Sequence, residues 1–211
     1  MNPIRIAVCA ALALGMLTSA GMRGQAEPSM LSRMLAVNPS LHSYQAAIHV
    51  DIALKTFPYL SPSLDGMYYH KDPNKNKLVF QSGLPAIAKQ FDKLYPRIEG
   101  PAQWKTVYFV TQTGDDGTNT SFKLVPRIHS RISHIDVKVD DKTATTSTMQ
   151  WNYNDGGYAT LNQTYALVNG NYLPTAQTGH VEVPSYIADV KSSFSNFKLN
   201  PSIPDSFFKQ T

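Results

Sequence analysis

From Ser43 the chain alternates: Ala46, Ile48, Val50, Ile52 and Leu54 are separated by Ala47, His49, Asp51 and Ala53. Successive side chains of an extended chain point to opposite faces, so this pattern predicts a long, half-buried strand. The same alternation recurs to the end of the chain. Leu64 to His70 and Lys77 to Gln81 flank the polar turn Lys71-Asp72-Pro73-Asn74, and Thr106 to Thr111 and Ser121 to Val125 flank Gly114-Asp115-Asp116-Gly117. Each pair reads as a hairpin. Ile135, Val137 and Val139 alternate with His134, Asp136 and Lys138, and Asp141-Lys142 then turns into a threonine-rich strand ending in Met149, Trp151 and Tyr153. After Asn154-Asp155-Gly156-Gly157 come Tyr158 to Val168, Tyr172 to Val183 and Ile187 to Leu199. Between the first two of these, Asn169-Gly170 suits a two-residue hairpin turn, because both residues tolerate positive φ. Nine or ten strands joined by tight turns predict an antiparallel meander.

Two stretches change the period. Met30, Leu31, Met34 and Leu35 form one apolar stripe at helical spacing, which ends at Asn38-Pro39 because a proline disfavours helical geometry in the residue before it. Ile87, Ala88, Phe91, Leu94 and Tyr95 recur in the same way between Leu84-Pro85 and Pro96, predicting a second helix between the third and fourth strands. A helix must bury its stripe, and a strongly curved sheet has a concave face that needs covering. The expected architecture is α+β: a curved antiparallel sheet of nine or more strands, with two or three helices over its concave face.

The amino terminus has a different character. Met1 to Arg5 carries one positive charge, Ile6 to Ala20 is a run of apolar and small residues, and Gly24-Gln25-Ala26 satisfies the small-x-small rule. This reads as a secretory signal peptide of residues 1–26, leaving 27–211 as a single domain. The apolar run is shorter than the roughly 20 residues of a membrane span, so an integral membrane protein is not expected. The expected location is the periplasm or the extracellular space. Cys9, the only cysteine, lies inside the leader, so the mature domain forms no disulfide and depends on an apolar core. The formal charge of +4 also shrinks: without Arg5 and Arg23, 17 basic residues face 15 acidic ones, a balance of +2. With no Lys/Arg cluster, nucleic-acid binding has no support.

Little in the chain points to catalysis. None of the six histidines sits in a helix-spaced pair or beside cysteines, and His129 and His134 are an odd number of residues apart. No metal site is expected. Asp115-Asp116-Gly117 and Asn154-Asp155-Gly156 lack the spaced carboxylates and closing glutamate of a calcium loop, and turn chemistry accounts for both. No G-x-S-x-G motif occurs. The reading is a non-enzyme without a cofactor. Aromatic residues on the strands, among them Tyr68, Phe109, Trp151 and Tyr153, serve either as core or as the wall of an apolar cleft.

Four segments together resemble the LolA/LolB-like superfamily of periplasmic lipoprotein carriers. They are the early helix followed by Leu41-His42-Ser43-Tyr44 and the long first strand; Asp65-Gly66-Met67-Tyr68-Tyr69-His70-Lys71-Asp72-Pro73-Asn74-Lys75; Asn169-Gly170-Asn171-Tyr172-Leu173-Pro174; and Phe197 to Phe208 with its Asn200-Pro201 and Ile203-Pro204 steps. Asp72 stands where the carrier has an arginine before the proline of this hairpin. The resemblance implies an incomplete, strongly curved antiparallel barrel with helices closing its mouth and an apolar cavity able to hold acyl chains.

With the strand periodicity, this assigns a ligand cleft to Ile48, Val50, Ile52, Tyr68, Phe109, Val137, Trp151 and Tyr153, and a lid to Ile87, Phe91 and Leu94. The function it implies is a carrier or binding protein for lipid or lipoprotein acyl chains in the cell envelope, acting as a monomer, with envelope or membrane proteins as further partners. The alternative is an envelope sensor that recognises a protein or glycan partner and carries no lipid.

Overall fold

The computed structural model describes residues 29–56, 61–81 and 99–208. In chain order they form α1 (Met30–Leu35), β1 (Ser43–Leu54), β2 (Ser63–Lys71), β3 (Lys75–Phe80), α2 (Pro101–Val107), β4 (Tyr108–Asp115), β5 (Asn119–Pro126), β6 (Ile132–Asp140), β7 (Thr146–Tyr153), β8 (Tyr158–Val168), β9 (Asn171–Val183), β10 (Tyr186–Leu199) and a short 3-10 helix, Asp205–Phe208. All ten strands belong to one antiparallel sheet with the order β3-β2-β1-β10-β9-β8-β7-β6-β5-β4. The sheet is an incomplete barrel: β3 and β4 are its two ends and do not pair with each other.

Alternation explains which way each strand faces. Along β1, Tyr44, Ala46, Ile48, Val50, Ile52 and Leu54 are all buried, whereas His49 and Asp51 are exposed on the other face. The β8–β9 hairpin turns at Asn169 and Gly170, with φ values of 47° and 79°, the left-handed pair that a two-residue turn demands. Bulges interrupt the ladders at Gln45/Ala47, Gln112/Gly114 and Thr164/Tyr165. Each adds a residue to one strand and bends it, which increases the twist of the sheet.

Most of the buried apolar residues fall into two clusters. One joins Met30, Leu31 and Met34 of α1 and Trp104 of α2 to residues of β5 to β8, among them Leu124, Ile135, Val137, Met149 and Trp151. The other lies on β1, β2 and β10 and includes Ala46, Ile48, Val50, Ile52, Leu64, Val190 and Phe194.

Polar contacts hold α1 and its loop in place. Ser29 caps α1 by accepting from the Ser32 amide at 3.3 Å, and the Arg33 guanidinium donates to the carbonyl of Asp141 in the β6–β7 turn. Asn38 exchanges two hydrogen bonds of 2.9 Å with the Tyr172 backbone at the β8–β9 turn. Asn200, left-handed at φ 50°, accepts from the His42 amide at 2.8 Å and donates to the Ser40 carbonyl at 3.0 Å. An asparagine side chain fits both requirements there.

The structure departs from the sequence reading in one element. A strand was expected to begin at Thr106, but residues 101–107 form α2 and β4 begins at Tyr108. Pro101 follows the Gly100 cap, where its fixed φ and missing N–H cost a helix nothing. The helix expected between Leu84 and Tyr95 lies outside the described residues.

Candidate functional site

A cavity of about 950 Å³ lies between the sheet and the two helices. That is near the upper end of the range usual for small-molecule sites, about 300–1,000 Å³. Its apolar wall comes mainly from the second cluster: Ile48, Val50 and Ile52 of β1, Leu64 of β2, Leu78 and Phe80 of β3, and Val190 and Phe194 of β10. Met34 and Trp104 close it from the helix side. Trp104 is almost completely buried, and its indole N–H donates to the Glu99 carbonyl at 2.9 Å. Tyr108, one turn on, donates its hydroxyl to the Glu99 carboxylate at 2.7 Å, which ties the start of β4 to the start of α2.

A second stretch of wall is polar. Tyr44, Tyr68, Tyr165 and Asn76 line it together with His70. The Tyr44 ring centroid lies 5.8 Å from that of Tyr68 and 5.1 Å from that of His70. The Tyr68 hydroxyl donates to Asn76 Oδ1 at 2.8 Å, and His70 Nδ1 lies 2.8 Å from the same oxygen. Burial pushes the Tyr68 phenol up to about 12. Tyr44 is raised well above its ordinary value by burial and then by the neighbouring phenols, and burial likewise raises Tyr165. All three phenols are therefore protonated donors at neutral pH. Periodicity alone did not reveal this group, because its members come from β1, β2, β3 and β8.

The residues expected to form a cleft divide into three sets. Ile48, Val50, Ile52 and Tyr68 line the cavity. Val137, Trp151 and Tyr153 are buried on the inner side of β6 and β7, but they pack in the cluster that contains Met30, Met34 and Trp104 and do not line the cavity. Phe109 corrects the reading outright: it is 54% exposed, stacked under the Arg127 guanidinium at 4.3 Å, and the inward place belongs to Tyr108. Because α2 leads directly into β4, the Tyr108–Glu99 bond sets the strand's register and turns its neighbour outward. Ile87, Phe91 and Leu94, assigned to a lid, lie outside the described residues.

The other polar groups pair on the opposite face or at turns. His49 Nδ1 lies 2.8 Å from Asp65, and His180 Nδ1 lies 2.7 Å from Asp189. The Asp65 hydrogen bond raises the His49 imidazole above its ordinary value. Among the described residues, no group of three or more His, Cys, Asp or Glu is placed to hold a metal ion. No helix among them is long and apolar enough to cross a membrane.

No protein-family model matches the chain, and no curated protein matches it in sequence. Solved structures do match in fold. A domain from Vibrio parahaemolyticus described as an outer membrane lipoprotein-sorting protein superposes with a TM-score of 0.64 at 9% identity, covering 85% of this chain and 94% of that one. A LolA superfamily protein from Nitrosomonas europaea gives 0.59 at 12% identity, over 86% of this chain and 96% of that one. A DUF1329 family protein from Desulfovibrio piger gives 0.58 at 15% identity, over 85% and 94%. At these identities the likeness is one of fold: the chain is similar to LolA-superfamily and lipoprotein-sorting domain structures along most of its length.

Proposed function

We propose that the protein is an exported, non-enzymatic carrier or binding protein for lipid or lipoprotein acyl chains in the cell envelope. The cavity carries this reading. Met30, Leu31, Met34 and Trp104 of the two helices pack in one cluster with residues of β5 to β8, whereas Ile48, Val50, Ile52, Val190 and Phe194 line the cavity. An apolar wall left unfilled by the side chains of the described residues loses contacts that a guest restores. The fold shared with lipoprotein-sorting domains adds support.

The energetics suit a carrier. Roughly a dozen buried methylenes contribute about 10 kcal/mol at about 0.8 kcal/mol each. Lost translational and rotational freedom offsets several kcal/mol of this, leaving binding that is firm and still reversible. On this reading residues 1–26 are a cleaved signal, residues 27–211 are the working domain, and the monomer is the functional unit in the periplasm or outside the cell.

Native mass spectrometry of the protein purified from cells is the direct test. We expect lipid-sized adducts, and uptake of a fluorescent acyl probe once they are stripped. Leu78→Asp, which places a charge on the cavity wall at a 40% exposed position on β3, should abolish uptake while leaving the fold intact. Absence of both adducts and uptake in the unmodified protein sinks the proposal. A second reading, an envelope module that recognises a protein or glycan, draws on the outer face. There Phe109, paired with Val125 and stacked under Arg127, lies at the end of the sheet that also carries the 78% exposed Ile128. Aromatic and arginine side chains of this kind dominate binding hot spots.

A further inference from the structure

The apolar wall accounts for a hydrocarbon chain but not for the polar stretch beside it. The Tyr68 hydroxyl donates to Asn76 Oδ1, and His70 is engaged on both sides, with Nδ1 2.8 Å from Asn76 Oδ1 and Nε2 3.3 Å from Asp72 Oδ1. Tyr165, which lines the cavity and is half-buried, has a hydroxyl with no hydrogen-bond partner among the described residues. Water can satisfy that hydroxyl while the cavity is empty. When hydrocarbon displaces the water, the donor is stranded unless the guest brings an acceptor of its own.

The charges around the cavity narrow what that acceptor is. Lys77 is the one lysine or arginine among the described lining residues, and its ammonium is already held by the Phe207 carbonyl at 2.6 Å and lies 4.6 Å from the centroid of the Phe207 ring. The carboxylates of Asp72 and Glu99 also line the cavity. A free carboxylate or phosphate drawn into the cavity would find no unengaged lysine or arginine among the described lining residues, and burying an unpaired charge is costly. An uncharged acceptor has no such cost. An ester or amide carbonyl at the root of an acyl chain places its oxygen beside the hydrocarbon it belongs to, which matches a phenol set beside an apolar wall.

We infer that the cavity selects acyl esters or amides over free fatty acids, and that Tyr165 is the specificity-determining residue that donates to the acyl carbonyl. The inference rests on the carrier reading above and adds to it the chemical class of the guest and the residue that reads it.

The test uses three probes of equal chain length, titrated into the stripped full chain and followed by native mass spectrometry at pH 8: 1-monopalmitoylglycerol, its ether counterpart 1-O-hexadecylglycerol, and palmitate. The ester and the ether differ by one carbonyl. We expect the ester to bind about tenfold more tightly than the ether, the worth of one hydrogen bond, and at least tenfold more tightly than palmitate. Tyr165→Phe should bring the ester down to the level of the ether while ether affinity stays within twofold. If ester and ether bind the unmodified protein equally, if palmitate binds most tightly, or if a folded Tyr165→Phe keeps the ester preference, the inference is overturned and the carrier reading stands. If none of the three binds, both fall.

Discussion

Replacing Gly66 with alanine tests whether the cavity wall depends on close contact between β2 and β3. A Cβ built on Gly66 lies 2.5 Å from the Val79 carbonyl oxygen, 3.0 Å from Phe80 Cδ1 and 3.2 Å from Phe80 Cα, all on β3. An ordinary C···O contact is about 3.3 Å, so the edge strand must move outward by about 0.8 Å. Gly66 pairs with Ile48 on one side and Phe80 on the other, which leaves β2 little room to move instead. Overpacking of this kind costs about 1–3 kcal/mol. Alanine recovers roughly 0.5–1 kcal/mol of backbone entropy relative to glycine, so the net loss is about 1–2 kcal/mol. For a domain of this size that lowers Tm by about 2–8 °C. The assay is thermal unfolding by circular dichroism, with amide hydrogen exchange of residues 75–80 as the local readout. Because Leu78 and Phe80 line the cavity, uptake of the acyl probe should weaken in parallel. Gly114→Ala is the control, since nothing stands within 4 Å of its Cβ. A Gly66→Ala protein with Tm within 1 °C of the parent and unchanged protection of β3 would refute the reasoning.

Three further outcomes follow from the same geometry. Phe194→Ala, which removes an 8% exposed ring set edge-on to Tyr68, should cost about 3 kcal/mol, whereas Phe109→Ala on the outer face should cost under about 1 kcal/mol; denaturant midpoints of the two variants compare them directly. Hydrogen bonds from Lys71 and then Lys75 lower the Asp205 carboxyl to about 2, so its hold on the carboxy-terminal segment is complete above the ordinary carboxylate value near 4 and is lost as pH falls toward 2. Hydrogen exchange of residues 203–208 should rise over that window in the parent and be raised and flat in Asp205→Asn. Gly170→Ala forces a Cβ into φ 79° and should destabilise by about 1–2 kcal/mol in a thermal melt.

Much of the sheet was legible because its signals are local. The alternation from Ala46 to Leu54, the Asn169-Gly170 turn and the Lys71 to Asn74 turn each require only a few neighbouring residues, and the strands that follow from them are in the structure. Pro101 to Val107 was not legible: Thr106 and Val107 are β-branched, and what makes the segment helical is the burial of Trp104 against Met30 and Met34, a contact across seventy residues of chain. The site was half legible for a related reason. Periodicity assigns Val137 and Ile48 alike to an inward face, but it cannot tell that helices fill the space in front of one and leave a cavity in front of the other. The phenols of Tyr44, Tyr68 and Tyr165 meet only through the pairing of separate strands, so no stretch of sequence announces them.

The strand order also constrains how the molecule is made. β1 and β10 lie side by side in the interior of the sheet, with Tyr44 opposite Leu199, so the first three strands reach the rest of the sheet only through the last one. Such long-range pairing must close a loop of some 150 residues before it yields any gain, which makes folding slow. The amino-terminal strands therefore join the rest of the sheet only once the last strand is available to pair with β1. The final strand is the seam that completes the sheet.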